Sequence, residues 1–185
     1  MSGASLVIGS TGLIGKKLIF ELAKKDSEVI AIARRPISNL PKNVSLLNIN
    51  FDDFLENGIL PSCDHIYICL GTTIKKAGSQ SEFKKVDFDY CVSFAKKARE
   101  AGTTKISLVS SVGANPYVKN FYLKTKGEVE EEIKKIDFHY INIFRPSLLL
   151  GSREENRFLE KIGQNLSPFI NFFLIGSLRK YRSIK

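Results

Sequence analysis

A glycine-spaced turn near the start of the chain constrains the fold more than any other feature. Apolar residues 6–8 run directly into this turn, and a helix-like stretch follows it. A dinucleotide pyrophosphate needs this spacing. The first glycine allows a tight turn, the second lets the phosphates approach the backbone, and the third lets the helix pack closely on the strand. The helix N-terminus presents N–H groups and a positive dipole end to the phosphates. We therefore predict a dinucleotide-binding loop, and an ordinary strand–turn–helix is the alternative. The predicted loop consists of Gly9, Ser10, Thr11, Gly12, Leu13, Ile14 and Gly15.

Strand-like and helix-like patterns alternate along the rest of the chain. Continuous Val/Ile/Leu strands separated by helices indicate a parallel sheet covered on both faces. We therefore predict an α/β fold with a Rossmann-type doubly wound parallel sheet in the order 3-2-1-4-5-6. The predicted strands lie at about residues 5–9, 28–33, 44–50, 65–70, 105–110 and 139–144, and the predicted helices at about 12–25, 51–57, 80–101, 118–135 and 153–164. No linker interrupts the pattern, so we expect residues 1–185 to form one NAD(P)-binding domain, with 152–185 as a small, irregular, partial substrate-side region.

The net charge of +9 does not by itself indicate a nucleic-acid partner. Much of it lies in lysine doublets spread along the chain, which usually form solvated helix faces, and no dense basic run with interleaved aromatic residues occurs. We therefore expect no nucleic-acid binding. No apolar run approaches the roughly 20 residues that a membrane-spanning helix needs.

The three cysteines, Cys63, Cys69 and Cys91, have no metal-ligand spacing. We expect reduced thiols, no metal and a cytoplasmic protein.

Two arginines stand at the predicted end of the second strand. NAD-binding proteins usually place an acidic residue here, which bonds the ribose 2′-hydroxyl and would repel a 2′-phosphate. Arg34 and Arg35 offer charge-assisted bonds to that phosphate instead. The expected cofactor is NADP(H) rather than NAD(H), with a solvated arginine pair as the alternative.

The fourth predicted strand ends in a short polar segment. Ligands of parallel sheets bind beyond the carboxyl ends of the strands, so we expect Leu70, Gly71 and Thr72 to border the cofactor. An ordinary strand-end turn would use the same residue types.

The fifth predicted strand ends in Ser110 and Ser111, and a predicted helix carrying Tyr122 and Lys126 follows. Residues four apart lie on one helix face. A phenol with a pKa near 10 donates protons poorly at neutral pH, and a nearby ammonium lowers that pKa. A serine hydroxyl can orient a substrate carbonyl. The pair alone is weak evidence, but its position after a serine-ended strand and a dinucleotide loop favours a catalytic site.

With these residues in view, the chain resembles the atypical short-chain dehydrogenases/reductases, in particular the subgroup around the Tat-interacting-protein oxidoreductase. The resemblance implies a further strand and helix beyond the position of Lys185. The matching segments are residues 9–15, 33–36, 70–73, 75–79, 86–90, 109–114, 121–130, 144–151 and 153–154.

The resemblance implies roles for individual residues. Tyr122 would donate a proton to a carbonyl that receives hydride, and Lys126 would bind the nicotinamide ribose. Ser111 would be the serine of the site, with Ser110 as the second choice. The backbone after Arg145 and Pro146 would lie beside the nicotinamide. Asp87 lies where many relatives carry an Asn of a proton relay, and we expect it to be a solvated acid.

We therefore expect an NADP(H)-dependent oxidoreductase that transfers hydride to or from a small carbonyl or alcohol substrate. Two alternatives stay open: a non-catalytic NADPH-binding regulator or scaffold, and an NADPH-dependent flavin or quinone reductase. The sequence also leaves open whether the chain forms a homodimer or binds a protein partner.

Overall fold

The computed structural model describes residues 3–25 and 28–147. Six strands in these ranges form one sheet in the order β3-β2-β1-β4-β5-β6, and all five pairings are parallel. The predicted fold class and strand order are therefore confirmed. The strands are β1 (Ser5–Ile8), β2 (Val29–Ala33), β3 (Val44–Asn48), β4 (His65–Ile68), β5 (Lys105–Val109) and β6 (Tyr140–Phe144).

Helical segments connect most of these strands. A π-helical turn, Lys85–Asp89, joins the fourth and fifth helices into one continuous rod, and the backbone N–H of Tyr90 bonds the carbonyl of Lys85, five residues back. The predicted helix over 80–101 is thus present, but the wide turn within it was not predicted. The α-helices are α1 (Leu13–Ala23), α2 (Phe51–Asn57), α3 (Ile74–Ala77), α4 (Gln80–Lys84), α5 (Tyr90–Glu100) and α6 (Phe121–Lys134).

Helix α6 begins three residues later than the pattern predicts, because of its cap. The side chain of Asn120 accepts a hydrogen bond from the backbone N–H of Leu123 at 3.0 Å, which satisfies one of the free donors of the first turn. The cap sets where Tyr122 stands in the first turn of α6.

Apolar side chains cover the sheet on both faces. On one face, Phe51, Phe94 and Val129 of three helices pack in the larger core. On the other, Ile19 of α1 packs against Val7 of β1. Full burial of such a side chain stabilises the fold by about 1.5–3 kcal/mol. The sheet is therefore a rigid platform for the loops at its carboxyl edge.

The predictions for residues 152–185, including a helix over 153–164, lie outside the described residues. Within the described ranges, no helix combines the length and the apolar character that crossing a bilayer requires. No group of three or more metal-ligating side chains occurs in the same ranges. Cys63, Cys69 and Cys91 are free thiols.

Candidate nucleotide-binding and active site

The parallel sheet collects the predicted site residues along one edge. The carboxyl ends of all six strands lie at this edge, where parallel sheets bind their ligands. Five of the six strand ends lead into predicted site residues: the glycine turn after β1, Arg34 after β2, Leu70 after β4, Ser110 after β5 and Arg145 after β6.

The glycine turn after β1 has the close approaches that its sequence predicts. Gly9 has a φ of +81°, and a Cβ on it would lie 2.6 Å from the carbonyl oxygen of Cys69. A Cβ on Gly15 would lie 2.3 Å from the carbonyl oxygen of Gly9. Neither position admits a side chain. Gly12, in contrast, is exposed and caps α1 without a side-chain hydrogen bond, so no capping side chain occupies the first N–H groups of α1, at Leu13 and Ile14. This cradle fits a pyrophosphate.

Ser10 and Thr11 differ in what they can offer to a ligand. The Ser10 hydroxyl is fully buried and donates a 2.8 Å hydrogen bond to the carbonyl of Ile32. Ser10 therefore holds the turn against β2, and only its backbone can face a phosphate. Thr11 is exposed.

Arg34 and Arg35 are exposed at the end of β2. The guanidinium of Arg34 lies 5.3 Å from the ring centre of Phe51, which holds it beside a cavity of about 380 Å³. Asp52 also lines this cavity. It accepts hydrogen bonds of 2.9 Å from Lys85 and from the Tyr90 hydroxyl. The bonds to Lys85 and Tyr90 lower the pKa of Asp52, so a carboxylate that sequence reasoning missed faces Arg34 across the cavity.

The segment after β4 contributes mainly backbone to the edge. The side chain of Leu70 packs into the larger core. Gly71 is exposed, and the backbone N–H of Thr72 donates a 2.8 Å hydrogen bond to Oδ2 of Asp87. Leu70 therefore anchors the segment, and Gly71 and Thr72 are its parts that can border a ligand.

Tyr122 and Lys126 lie on α6 where it faces the rod of α4 and the π-helical turn. The Tyr122 ring packs 5.7 Å from that of Phe83, which is fully buried. One turn further along both helices, Nζ of Lys126 lies 3.0 Å from Oδ1 of Asp87. Residues 83 and 87 have the same spacing as 122 and 126, and this matched spacing is the signal that could have revealed the contact from sequence.

Asp87 is fully buried, so the expectation that it is a solvated acid was wrong. Asp87 lies four residues after the buried Phe83, so the two share one helix face, and this face packs against α6. Burial raises the pKa of its carboxyl, and the Lys126 ammonium and the Thr72 N–H act against that rise. Burial lowers the pKa of Lys126, the Asp87 carboxylate contributes most to opposing it, with smaller contributions from Cys91 and Tyr122, and the net pKa of Lys126 lies above its ordinary value. Lys126 is therefore an ammonium at neutral pH.

The two serines after β5 have different partners. The hydroxyl of Ser110 donates a 2.5 Å hydrogen bond to the buried carboxylate of Glu130. Ser111 is half-buried, and its hydroxyl makes a long contact of 3.4 Å to the carbonyl of Val112. Ser111 is therefore the more available hydroxyl.

The loop that carries Ser111 is fastened to α6. The backbone N–H of Asn115 donates a 3.1 Å hydrogen bond to the carbonyl of Leu123. A Cβ on Gly127 would lie 2.3 Å from the backbone of Asn115 and Pro116. The helix of Tyr122 and the loop of Ser111 thus lie in direct backbone contact.

Arg145 is bound within the protein. Its guanidinium makes two bonds to Glu130, one of them 2.9 Å from Nε. The next carbonyl, of Pro146, accepts a 3.0 Å hydrogen bond from the N–H of Val112. The Arg145 side chain therefore serves the structure, and the backbone that it holds stays our candidate for a contact with a nicotinamide.

The thiols near the site are inert. Burial raises the pKa of Cys69 and of Cys91 to about 12. Neither is a thiolate at neutral pH, and neither is a candidate nucleophile.

Comparisons with known proteins agree with this fold. A family model described as NAD(P)H-binding matches residues 9–168. Protein FMP52, mitochondrial, of Candida albicans is 34% identical over 160 residues, which cover 83% of this chain and 70% of that protein. Protein HTATIP2 of Rattus norvegicus is 34% identical over 157 residues, which cover 82% of this chain and 64% of that protein.

The fold is also similar to that of the human epimerase family protein SDR39U1, solved with NADPH. The TM-score is 0.64 at 19% identity, and the match covers 86% of this chain and 58% of that one. At this identity the likeness concerns the fold alone.

The relatives correct one prediction. FMP52 proteins from several yeasts are named mitochondrial, so the expectation of a cytoplasmic protein was wrong. Reduced cysteines do not tell apart the compartments in which thiols stay reduced.

A glycine cradle at a helix N-terminus, a parallel sheet in the order 3-2-1-4-5-6 and a family match over most of the chain lead to one identification. The chain belongs to the NAD(P)H-binding family and is an atypical short-chain dehydrogenase/reductase similar to HTATIP2.

Proposed function

We propose that this protein is an NADP(H)-dependent oxidoreductase that transfers hydride between the nicotinamide and a small carbonyl or alcohol substrate. One observation carries the proposal: Tyr122 and Lys126 share one face of α6 at the carboxyl edge of the sheet, and the lysine is a buried ammonium. An ionised lysine is costly to bury in a low-dielectric interior, and such groups concentrate at functional sites.

The residues at the sheet edge fit the parts of this cofactor in turn. The cradle of residues 9–15 would hold the pyrophosphate, as its exposed Gly12 and open helix N-terminus allow. Arg34 and Arg35 would bind the 2′-phosphate. Lys126 would bond the nicotinamide ribose, with Gly71 and Thr72 bordering it.

Bound NADPH supplies the hydride that reduces the carbonyl carbon. Tyr122 gives a proton to the carbonyl oxygen as the hydride arrives, and in the reverse direction it takes that proton back. The Lys126 ammonium favours the phenolate that the donation leaves behind. Ser111 orients the carbonyl through its hydroxyl, and the burial of Phe83 beside the Tyr122 ring keeps water from that side of the phenol.

The test is a panel of carbonyl substrates with NADPH, applied to Tyr122→Phe. Loss of the phenol oxygen should lower turnover by about 10²–10⁴, the usual range for general acid–base catalysis, while NADPH still binds. Tyr140→Phe is the matched control, because Tyr140 is exposed on β6. Lys126→Ala should damage both turnover and NADPH affinity.

The outcome separates this proposal from its rivals. A regulator that only senses NADPH has no turnover to lose. A flavin or quinone reductase keeps its rate without the Tyr122 hydroxyl. If a carbonyl substrate is turned over and Tyr122→Phe retains most of the rate, the proposed proton donor is wrong.

A further inference from the structure

Two residues of the rod, one on α4 and one on the π-helical turn, contact the two proposed site residues of α6 and have the same four-residue spacing. Phe83 meets Tyr122, and four residues later Asp87 meets Lys126. Wide turns of this kind are rare and often mark functional sites. Here the turn lies at Asp87 itself, so the irregularity of the helix coincides with the contact.

The Asp87 carboxylate joins two parts of the site. Its Oδ2 accepts the 2.8 Å hydrogen bond from the N–H of Thr72, which follows β4. Its Oδ1 lies 3.0 Å from Nζ of Lys126, which also lies 3.5 Å from the carbonyl oxygen of Val109 at the end of β5. The ammonium is thereby held between the carboxyl ends of two neighbouring strands.

We propose that Asp87 is a positioning residue that keeps Lys126 charged and fixes its ammonium at the strand ends. The proposal rests on the proposed function of Tyr122 and Lys126, and it adds a residue to that site. Asp87 acts through Lys126 and does not touch the reacting atoms.

The surroundings of Lys126 make the carboxylate necessary. The titratable groups that face the lysine within the described residues are Asp87 on the π-helical turn, Cys91 on α5 and Tyr122 on α6. Burial holds the Cys91 thiol neutral, with a pKa of about 12. From β5, the carbonyl oxygen of Val109 lies 3.5 Å from the ammonium and carries no full charge. Asp87 therefore supplies the negative charge that opposes the desolvation of the ammonium.

Replacement of Asp87 by asparagine removes the charge and retains nearly the same shape. The lysine then loses the largest contribution that opposes burial, and its pKa should fall by about 2 units, within the range known for buried lysines. The control is Asp89→Asn, which removes an exposed carboxylate two residues away on the same turn and should leave Lys126 unchanged.

The primary measurement is NMR titration of protein labelled at lysine Cε. The signal of Lys126 is assigned as the one that is missing from the spectrum of Lys126→Met. This readout needs neither cofactor nor substrate, so it stands apart from the test of Tyr122. With a carbonyl substrate and NADPH, the alkaline limb of the kcat/KM profile should move to lower pH in Asp87→Asn and stay in place in Asp89→Asn.

Asp87→Ser is a second uncharged variant, in case Asp87→Asn does not fold. An unchanged Lys126 titration in either folded variant overturns the proposal, even if Tyr122 is the proton donor. If neither variant folds, Asp87 serves the fold rather than Lys126, and the proposal is wrong. If the Lys126 pKa falls and Tyr122→Phe nevertheless keeps its turnover, the proposed function fails and the charge relationship stands.

Discussion

The Ser110 hydroxyl donates to Glu130 at 2.5 Å, and Glu130 is in turn bound by Arg145. A buried carboxylate is thus satisfied by a hydroxyl from the end of β5 and a guanidinium from the end of β6. This hydrogen bond keeps the Ser110 hydroxyl in the interior, away from a substrate. Ser111, the next residue, is the serine whose hydroxyl stays available at the sheet edge.

The first prediction contrasts these two serines. Ser111→Ala should lower carbonyl turnover by about 10², as the loss of a donor to a reacting carbonyl does, and leave the free energy of unfolding nearly unchanged. Ser110→Ala should lower the unfolding free energy by about 1–3 kcal/mol, because Glu130 loses a partner in the interior. Steady-state kinetics and urea denaturation of both variants decide. If Ser110→Ala folds and loses more turnover than Ser111→Ala, then Ser110 is the serine that orients the carbonyl.

The second prediction concerns Arg145. Its removal leaves the Glu130 carboxylate, only 1% exposed, without its counter-charge. The Arg145 side chain is itself 49% exposed, so Arg145→Ala should cost about 1–3 kcal/mol of unfolding free energy. The control is Lys134→Ala on the same helix. Lys134 pairs with Glu131 at 2.7 Å, but both side chains are about half exposed, and the loss should stay within about 0.5 kcal/mol. Equal unfolding midpoints for the two variants in urea would show that the Glu130–Arg145 pair contributes little.

The sequence predicts the sheet well because its signals are local. Each strand is a short apolar run, and the glycines that turn β1 into α1 are adjacent in the chain. Right-handed crossovers between parallel strands then leave few orders for the sheet. For the same reason the sequence places Tyr122 and Lys126 on one helix face, since four-residue spacing determines that without knowledge of the neighbours.

The contacts that sequence reasoning missed all join distant segments. Asp87 looks like a surface acid as long as the face of residues 83 and 87 is not paired with the face of Tyr122 and Lys126. No local pattern specifies the π-helical turn that contains it. Asp52 lies 18 positions from Arg34 in the chain, yet the two line one cavity. Glu130 looks like one more acid in an acidic run. Whether such a group is solvated or buried depends on the packing of whole helices.

The third prediction separates two glycines of the turn after β1. Gly12→Val should abolish binding of NADPH and of NADH while the fold survives. Its backbone is extended (φ −77°, ψ 168°), which valine adopts readily. A Cβ there would lie 3.2 Å from the carbonyl oxygen of Gly9, so a small adjustment suffices, and the side chain then fills the space of the phosphates.

Gly15→Val should instead lower the melting temperature strongly, since its Cβ would lie 2.3 Å from the Gly9 carbonyl oxygen. Calorimetric titration beside a thermal melt distinguishes the two effects. Retained NADPH affinity in folded Gly12→Val would show that the pyrophosphate does not lie against this turn.

The fourth prediction concerns the choice of cofactor. NADPH should bind more tightly than NADH, because a charge-assisted contact to phosphate contributes about 1.5–3 kcal/mol, or roughly 10- to 150-fold in affinity. Arg34→Ala combined with Arg35→Ala should remove most of this preference and leave the NADH dissociation constant nearly unchanged. Arg99→Ala is the control, because Arg99 lies at the other end of the strands and bonds the carbonyl of Asp137.

The single variants should differ from each other. Arg34 is already held over the ring of Phe51, so it loses less side-chain freedom on binding a phosphate than a fully solvated arginine does. Arg34→Ala should therefore weaken NADPH binding more than Arg35→Ala. The carboxylate of Asp52 lines the same cavity, so Asp52→Asn should strengthen NADPH binding relative to NADH binding. Equal dissociation constants for NADPH and NADH in the unmodified protein would refute the assignment, since an arginine pair that contacts a 2′-phosphate must discriminate between two nucleotides that differ only in that group.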